Sequence, residues 1–586
     1  MLFAARRNAR SREAWLGEFR ATVALGWPMA LTNLAKIALP TTDVIALGRL
    51  GPSALTAATL GVNLYFGLLI FAIGLVTATA PMMAETIGGG RHVVREVRRT
   101  FRQGLWSAVI VSVPAWMLLW HADAVLLAFG QEPQLAADAH VFMRELQWGF
   151  LPALGFITLR SFVAALERPI WAMVVTVAAI LFNILANWTL VFGHLGLPAL
   201  GLRGSGLATT LSNTFMFFGL AVVVLADRQF RRFHLFGRWW RPDWPRLVTL
   251  WRLGVPIGAT MMLEITLFNA AVFIMGQFGT AAIAAHSIAI QIAAASFMVP
   301  LGLGQAATVR VGLAHGAGQR DGITRAGWAA FAMAMLFMAT MSFVLMTFPN
   351  VLIGAFIDVT DPANAPVAKM AALFLLWAAI FQLADGAQVV GAGMLRGLQD
   401  TSVPMLYAAF GYWGCGMPLS LLFAFKLGYG GVGIWVGLAS GLAVVACLMM
   451  MRWMRRDRLG LVPAGCWGGV IAGTGIGPLA VLARPSKQTQ ETPARTGCFA
   501  ARNDDNLVFL KHLPDPAVVV GGAAVLDVDQ FLAQPHRHRA GDAAVDGEVA
   551  LRRAHLADRR DHRRGAAGEG FLQPAAGGIG APLIDG

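Results

Sequence analysis

Three carboxylates stand inside long apolar stretches of this chain: Asp43, Glu264 and Asp385. Lys36 is the one clear lysine placed the same way. A charged side chain at the centre of a membrane helix costs about 2.5–3.5 kcal/mol on insertion scales, so such residues face a cavity, an ion path or a partner. A buried carboxylate can be neutralised by a proton, by sodium or by a cationic organic molecule. Where two of these compete for one carboxylate, uptake of one favours release of the other. Spacing gathers further polar groups around them. Asn33, Lys36, Pro40 and Asp43 fall on one face of a helix. Phe381, Asp385 and Gln388 share another, Glu264 and Phe268 lie one turn apart, and so do Asn183 and Asn187. Pro40 has no N–H for the Lys36 carbonyl, which leaves an acceptor free at membrane depth and predicts a bend. Pro28 and Pro256 are expected to bend their helices in the same way.

The elements that position these residues must be membrane helices. Of 586 residues, 57% are hydrophobic and 13% charged, against about 25% charged in soluble domains. That balance excludes an ordinary soluble domain and a disordered chain. Four cysteines, all in the last third, exclude a disulfide scaffold. The net charge is +14, but arginines come in bursts between apolar runs rather than on one basic face, so no nucleic-acid partner is expected. Twelve runs between about residues 22 and 451 are each long enough to cross about 30 Å of hydrocarbon. Continuous apolarity excludes the alternating strands of a barrel. With the N-terminus placed in the cytoplasm, 26 Lys and Arg fall on the cytoplasmic side and four on the other (Arg49, Arg144, Arg203 and Lys426). Both ends of the body then face the cytoplasm. No cleavable signal peptide is expected, and the first run stays as a span.

Self-similarity at one offset divides the body. Gly26-Trp27-Pro28 and Gly254-Val255-Pro256 lie 228 residues apart. At that offset Gly51 meets Gly279, Gly74-Leu75 meets Gly302-Leu303, and Gly88-x-Gly90 meets Gly316-x-Gly318. Duplication explains matches over nearly a whole half better than chance among glycine-rich helices. Six spans per unit give two lobes in parallel orientation, with a substrate site between them near the midplane. The expected organisation is an N-terminal segment (1–20), a first lobe (21–227), a basic linker (228–248), a second lobe (249–458) and a tail (459–586). The same offset places Lys36 opposite Glu264. The two lobes are therefore expected to differ electrostatically, with the coupling carboxylates mainly in the second.

Three segments carry a family resemblance. They are Leu39-Pro-Thr-Thr-Asp43 followed by Leu50-Gly-Pro-Ser-Ala-Leu55; Gly254-Val-Pro256 with Glu264, Ala284-Ala-His286 and Arg310-Val-Gly312; and Asp385-Gly-Ala-Gln388 with Gly393-Met-Leu-Arg396-Gly397 and Asp400-Thr-Ser-Val-Pro404. Over about residues 15–458 the chain resembles the multidrug and toxic compound extrusion (MATE) family, in its bacterial NorM-like branch. The resemblance implies an all-α membrane protein of twelve helices in two pseudo-symmetric lobes. It also implies a bacterial inner-membrane antiporter that exports drug-like, often cationic compounds for inward sodium or protons. By position, Glu264 and Asp385 match the family's second-lobe cation-site carboxylates, Asp43 its first-helix aspartate, and Asn183 and Asn187 its fifth-helix asparagines. Sodium, if it is the coupling ion, would take Glu264 and Asp385 as ligands. Asn33, Lys36, Asn183, Asn187, Phe268, Phe381 and Gln388 are expected to line the cavity. The chain departs from many relatives at Phe381, where they carry tyrosine, and at Lys36.

No cofactor beyond Na+ or H+ as coupling ion is expected, and no catalytic residue: there is no Walker A sequence, no nucleophile elbow and no catalytic cluster at an interface. The expected partners are small organic molecules and membrane lipid, and a monomer suffices. The alternative reading is a flippase or exporter of lipid-linked precursors or polysaccharide. His286 is expected to be a packed histidine. From about residue 484 the composition turns to Ala, Gly, Arg, Asp and His without helical period, which predicts a disordered or frameshifted tail.

Overall fold

The computed structural model describes residues 2–237, 240, 242–463, 481–482, 518–521 and 524–527. Twelve long helices follow in order: α1 (Leu2–Gly48), α2 (Pro52–Gly88), α3 (Val93–Trp120), α4 (Pro133–Ala165), α5 (Ile170–Leu190) and α6 (Leu202–Ala226), then α7 (Trp244–Phe278), α8 (Thr280–Gly316), α9 (Arg320–Thr347), α10 (Pro362–Gly397), α11 (Ser402–Lys426) and α12 (Gly430–Met454). Each overlaps one expected span. Eleven are long and apolar enough to cross a bilayer. The twelfth is α1, whose apolar run is diluted by Asn33, Lys36 and Asp43. Partners supplied by other helices replace lipid around those residues.

Proline ends none of these helices. α1 runs on through Pro28 and Pro40, and α7 through Pro256. One turn after the equivalent prolines, Thr32 donates to the Pro28 carbonyl (2.6 Å) and Thr260 to the Pro256 carbonyl (2.8 Å). α11 is less regular, with π-helical turns at Phe410–Gly416 and Leu422–Lys426. Such wide turns re-aim side chains and cluster at functional positions.

Two hydrophobic cores form. One is built on Phe101, Phe142, Phe150 and Phe162 of the first six helices, the other on Phe374, Tyr412, Trp435 and Trp453 of the last six. They meet through glycines, and three of these contacts have counterparts 228 residues away. A Cβ on Gly26 would strike Leu303 (2.8 Å), and one on Gly254 would overlap Leu75. A Cβ on Gly74 would lie 2.6 Å from the Gly258 nitrogen, and one on Gly302 2.5 Å from that of Ala30. Gly88 lies against the Leu313 carbonyl as Gly316 lies against that of Glu85. Only residues without a side chain let two backbones approach so closely, which is how membrane helices gain packing energy without a hydrophobic drive. Of the repeated glycines, Gly26, Gly74 and Gly88 with their counterparts Gly254, Gly302 and Gly316 lie where the lobes touch, whereas Gly51, Gly90, Gly279 and Gly318 have open space beside them.

Ion pairs reinforce the same, arginine-rich side. Arg310 of α8 forks onto Glu18 of α1, Nε to Oε1 and Nη2 to Oε2 at 2.8 Å each, and also donates to Glu167 between α4 and α5. Glu85 of α2 takes Gln399 and His315 from the second lobe.

Beyond the helices, β1 (Val481–Leu482), β2 (Val518–Gly521) and β3 (Ala524–Asp527) pair antiparallel in that order. The rest of the expected tail beyond Pro463 lies outside the described residues.

Candidate functional site

The polar stripe of α1 divides between two neighbourhoods. At its far end Asp43 is buried against α5 and α6. Its Oδ1 accepts from Asn187 Nδ2 (2.7 Å) and Asn183 Nδ2 (3.4 Å), and its Oδ2 accepts from Thr209 Oγ1 (2.6 Å). Thr42 Oγ1 donates to Asn183 Oδ1 (2.5 Å), holding that amide with its nitrogen toward Asp43. Three neutral donors around one carboxylate replace the water it lost on burial.

About two to three turns back along α1, Lys36 and Asn33 meet α4. Arg160, buried at 8% exposure, donates from Nη2 to Asn33 Oδ1 (2.8 Å) and to Gln305 Oε1 of α8 (2.5 Å). Lys36 Nζ stands over the Phe156 ring, 5.3 Å from its centre. Arg160 was not among the sequence-expected residues. Pro40 lies between the two neighbourhoods on the same helix.

In the second lobe α7, α10 and α11 converge. Gln388 Nε2 donates both to Glu264 Oε1 (3.3 Å) and to Asp385 Oδ1 (3.2 Å), and Tyr412 donates to Gln388 Oε1 (2.9 Å). Tyr412 thereby fixes which end of the amide faces the carboxylates. Asp385, Gln388 and Tyr412 are buried, while Glu264 is partly exposed. Phe268 and Phe381 meet edge to face at 5.9 Å, and Phe381 packs on Trp435 at 5.8 Å. Two carboxylates bridged by one amide offer several oxygens to a small cation, and neighbouring aromatic rings suit a larger one. His286 is fully buried beside Trp435 (5.4 Å), and neither ring nitrogen has a hydrogen-bond partner among the described residues.

The sequence reading missed Arg160, Thr209, Gln305 and Tyr412. Arg160 carried the same signal as Lys36, a cation within a span. Tyr412 and Thr209 carried none, because a hydroxyl is cheap enough in a helix to be common.

Comparison with known proteins agrees with this architecture. The MatE family model matches residues 28–189 and again 256–422, two matches that begin 228 residues apart. The probable multidrug resistance protein NorM of Mesorhizobium japonicum is 57% identical over 453 residues, 77% of this chain and 97% of the relative. That of Brucella suis biovar 1 is 54% identical over 441 residues, 75% of this chain and 94% of the relative. Among solved structures, the eukaryotic MATE transporter AtDTX14 superposes with a TM-score of 0.68 at 19% identity, covering 76% of this chain and 99% of its own. The bent form of the Vibrio cholerae MATE transporter VcmN gives 0.67 at 18% identity, covering 76% and 98%. The chain belongs to the MatE family of membrane transporters, among relatives named as NorM multidrug resistance proteins.

Proposed function

We propose that this protein is a secondary antiporter of the bacterial inner membrane. It exports organic, often cationic, drug-like compounds in exchange for inward Na+ or H+. The observation that carries this reading is the Glu264–Gln388–Asp385 bridge between α7 and α10. A cation that binds there replaces the Gln388 donor and ties two helices of one lobe together, so its occupancy can bias the lobe's shape. Asp43, held by Thr209 and two asparagines, is a second place where a proton or cation changes the fit between helices. The glycine contacts and the Arg310 pairs close the arginine-rich side, which is the cytoplasmic side under the positive-inside rule. Both ends of the helical body lie there, a monomer suffices, and the partners are small organic molecules and lipid.

Efflux of a cationic dye from everted vesicles tests this, with sodium and pH gradients collapsed separately. One of the two collapses should stop transport. Asp385→Asn and Glu264→Gln proteins, inserted at normal levels, should fail to pump. Wild-type efflux rates in both variants would reject the antiport reading.

A further inference from the structure

The two lobes present opposite charges at equivalent places. The repeat offset that relates Gly74 to Gly302 also relates Lys36 to Glu264 and Arg160 to Gln388. The second-lobe pair is an anionic site: Glu264 takes a hydrogen bond from Gln388, with Asp385 beside it. The first-lobe pair is its electrostatic inverse. Arg160 gives only Nη2 to protein acceptors, both of them neutral amide oxygens. Its Nε and Nη1 have no hydrogen-bond partner among the described residues, and Lys36 meets only the Phe156 ring. Among the described residues neither cation forms an ion pair, and the two repel one another. Two clustered cations without a carboxylate are an incomplete arrangement, since a charge taken from water is stabilised only by pairing or hydrogen bonding.

Position makes this a site and not only a packing device. Gln305 reaches Arg160 from the other lobe, so the cluster straddles the two halves. Along α1 and α8 it follows the inter-lobe contacts of Gly26 and Ala30 with Leu303 and Gly302. Lys36 remains partly exposed, with its amine over the Phe156 ring.

We propose that Lys36 and Arg160 form an anion subsite for a carboxylate carried by the exported molecule. Arg160 offers its remaining guanidinium face, Lys36 a point charge, and Phe156 with Asn33 completes the walls. The inference rests on the drug-export reading and narrows it. Substrates include aromatic compounds bearing a carboxylate, and zwitterions can span from this subsite to the carboxylates of the second lobe.

Rhodamine 110, which carries a free carboxylate, and rhodamine 123, its methyl ester, differ in that one group. Their binding to the full chain in lipid nanodiscs can be followed by fluorescence anisotropy. Lys36→Gln should weaken rhodamine 110 roughly tenfold, the size of one charge-assisted hydrogen bond. It should tighten rhodamine 123, whose cation loses a repelling neighbour. Lys36→Arg should keep the wild-type order, and Arg160→Gln should shift rhodamine 110 in the same direction as Lys36→Gln. A merely damaged fold would weaken both dyes in the Lys36→Gln protein, and that result overturns the proposal, as does no change in either. If the unaltered protein binds rhodamine 123 but not rhodamine 110, the anion subsite alone falls. If it binds neither, the drug-export reading falls with it.

Discussion

Gly74 of α2 and Gly258 of α7 stand backbone to backbone, so close that a Cβ on Gly74 would sit 2.6 Å from the Gly258 nitrogen. Gly302 and Ala30 make the equivalent contact on the other side of the pseudo-twofold axis. One methyl group forced into a packed contact costs about 1–3 kcal/mol. Gly74→Ala and Gly302→Ala should therefore each bias the lobes away from the arrangement closed on the arginine-rich side, and by similar amounts. Spin labels on α2 and α7 should report a longer inter-lobe distance in either variant. Unchanged distances in both would show that the contact does not hold the lobes.

Arg310 is the other fastening. Its guanidinium forks onto Glu18 and also reaches Glu167, joining α8 to α1 and to the turn after α4. Arg310→Lys keeps the charge but cannot make the two parallel bonds. The expected result is faster labelling of a cysteine placed beside Gly26, with Arg310→Gln more severe than Arg310→Lys. Equal labelling in all three proteins would remove Arg310 from the closure.

Tyr412 donates to Gln388, which donates to both second-lobe carboxylates. Removing the hydroxyl leaves a buried amide oxygen without its donor, at a cost of about 1 kcal/mol. Tyr412→Phe should lower the apparent affinity for the coupling ion roughly fivefold while the protein still inserts and folds. An unaltered ion dependence of efflux would place Tyr412 outside the coupling network.

Thr209 gives Asp43 its shortest hydrogen bond, at 2.6 Å. Thr209→Val preserves shape and removes the donor. Transport should then show an altered pH dependence, whereas Thr209→Ser should restore the wild-type profile. The same profile in the valine and wild-type proteins would mean that Asp43 does not act through this contact.

Outside the membrane, Asp243 caps α7 and accepts from Arg99 Nε (2.6 Å). Burial pushes its carboxyl up, but the hydrogen bond and charge of Arg99 outweigh that and hold it below the ordinary aspartate range. A carboxyl depressed in the folded state adds stability above its unfolded pKa of about 4. That stability fades as pH falls through the lower folded value. Asp243→Asn keeps a capping side chain and loses the charge, so at pH 7 it should cost roughly 0.5–1 kcal/mol, an amount reduced by the exposure of Arg99. Thermal unfolding in detergent should show the gap between the two proteins shrinking as pH falls below 4. A gap that widens on acidification would reverse the assignment.

Much of this was legible from residue types alone. Twelve helices follow from the thickness of a bilayer, and the partnership of Asp43 with Asn183 and Asn187 follows from the rarity of such groups in apolar runs. The glycines at one offset marked the duplication, but not that they form the contact between halves, since spacing says nothing about which face meets which. The expected stripe from Asn33 to Asp43 proved to be two neighbourhoods. A helix face fixes only a direction, and the helices that arrive at each height decide the chemistry. Arg160 was readable and passed over, while the π-turns that place Tyr412 left no pattern, because an added residue in a turn depends on packing against α12.

Each half of the body carries both sides of the contact that joins them: Gly26 and Leu75 from one, Gly254 and Leu303 from the other. That is the geometry of an isologous interface. A single six-helix ancestor with these residues would have met a second copy of itself through the same surface, before any gene fusion. Fusion freed the copies to diverge, and Lys36 against Glu264 is a difference that no homodimer could have carried.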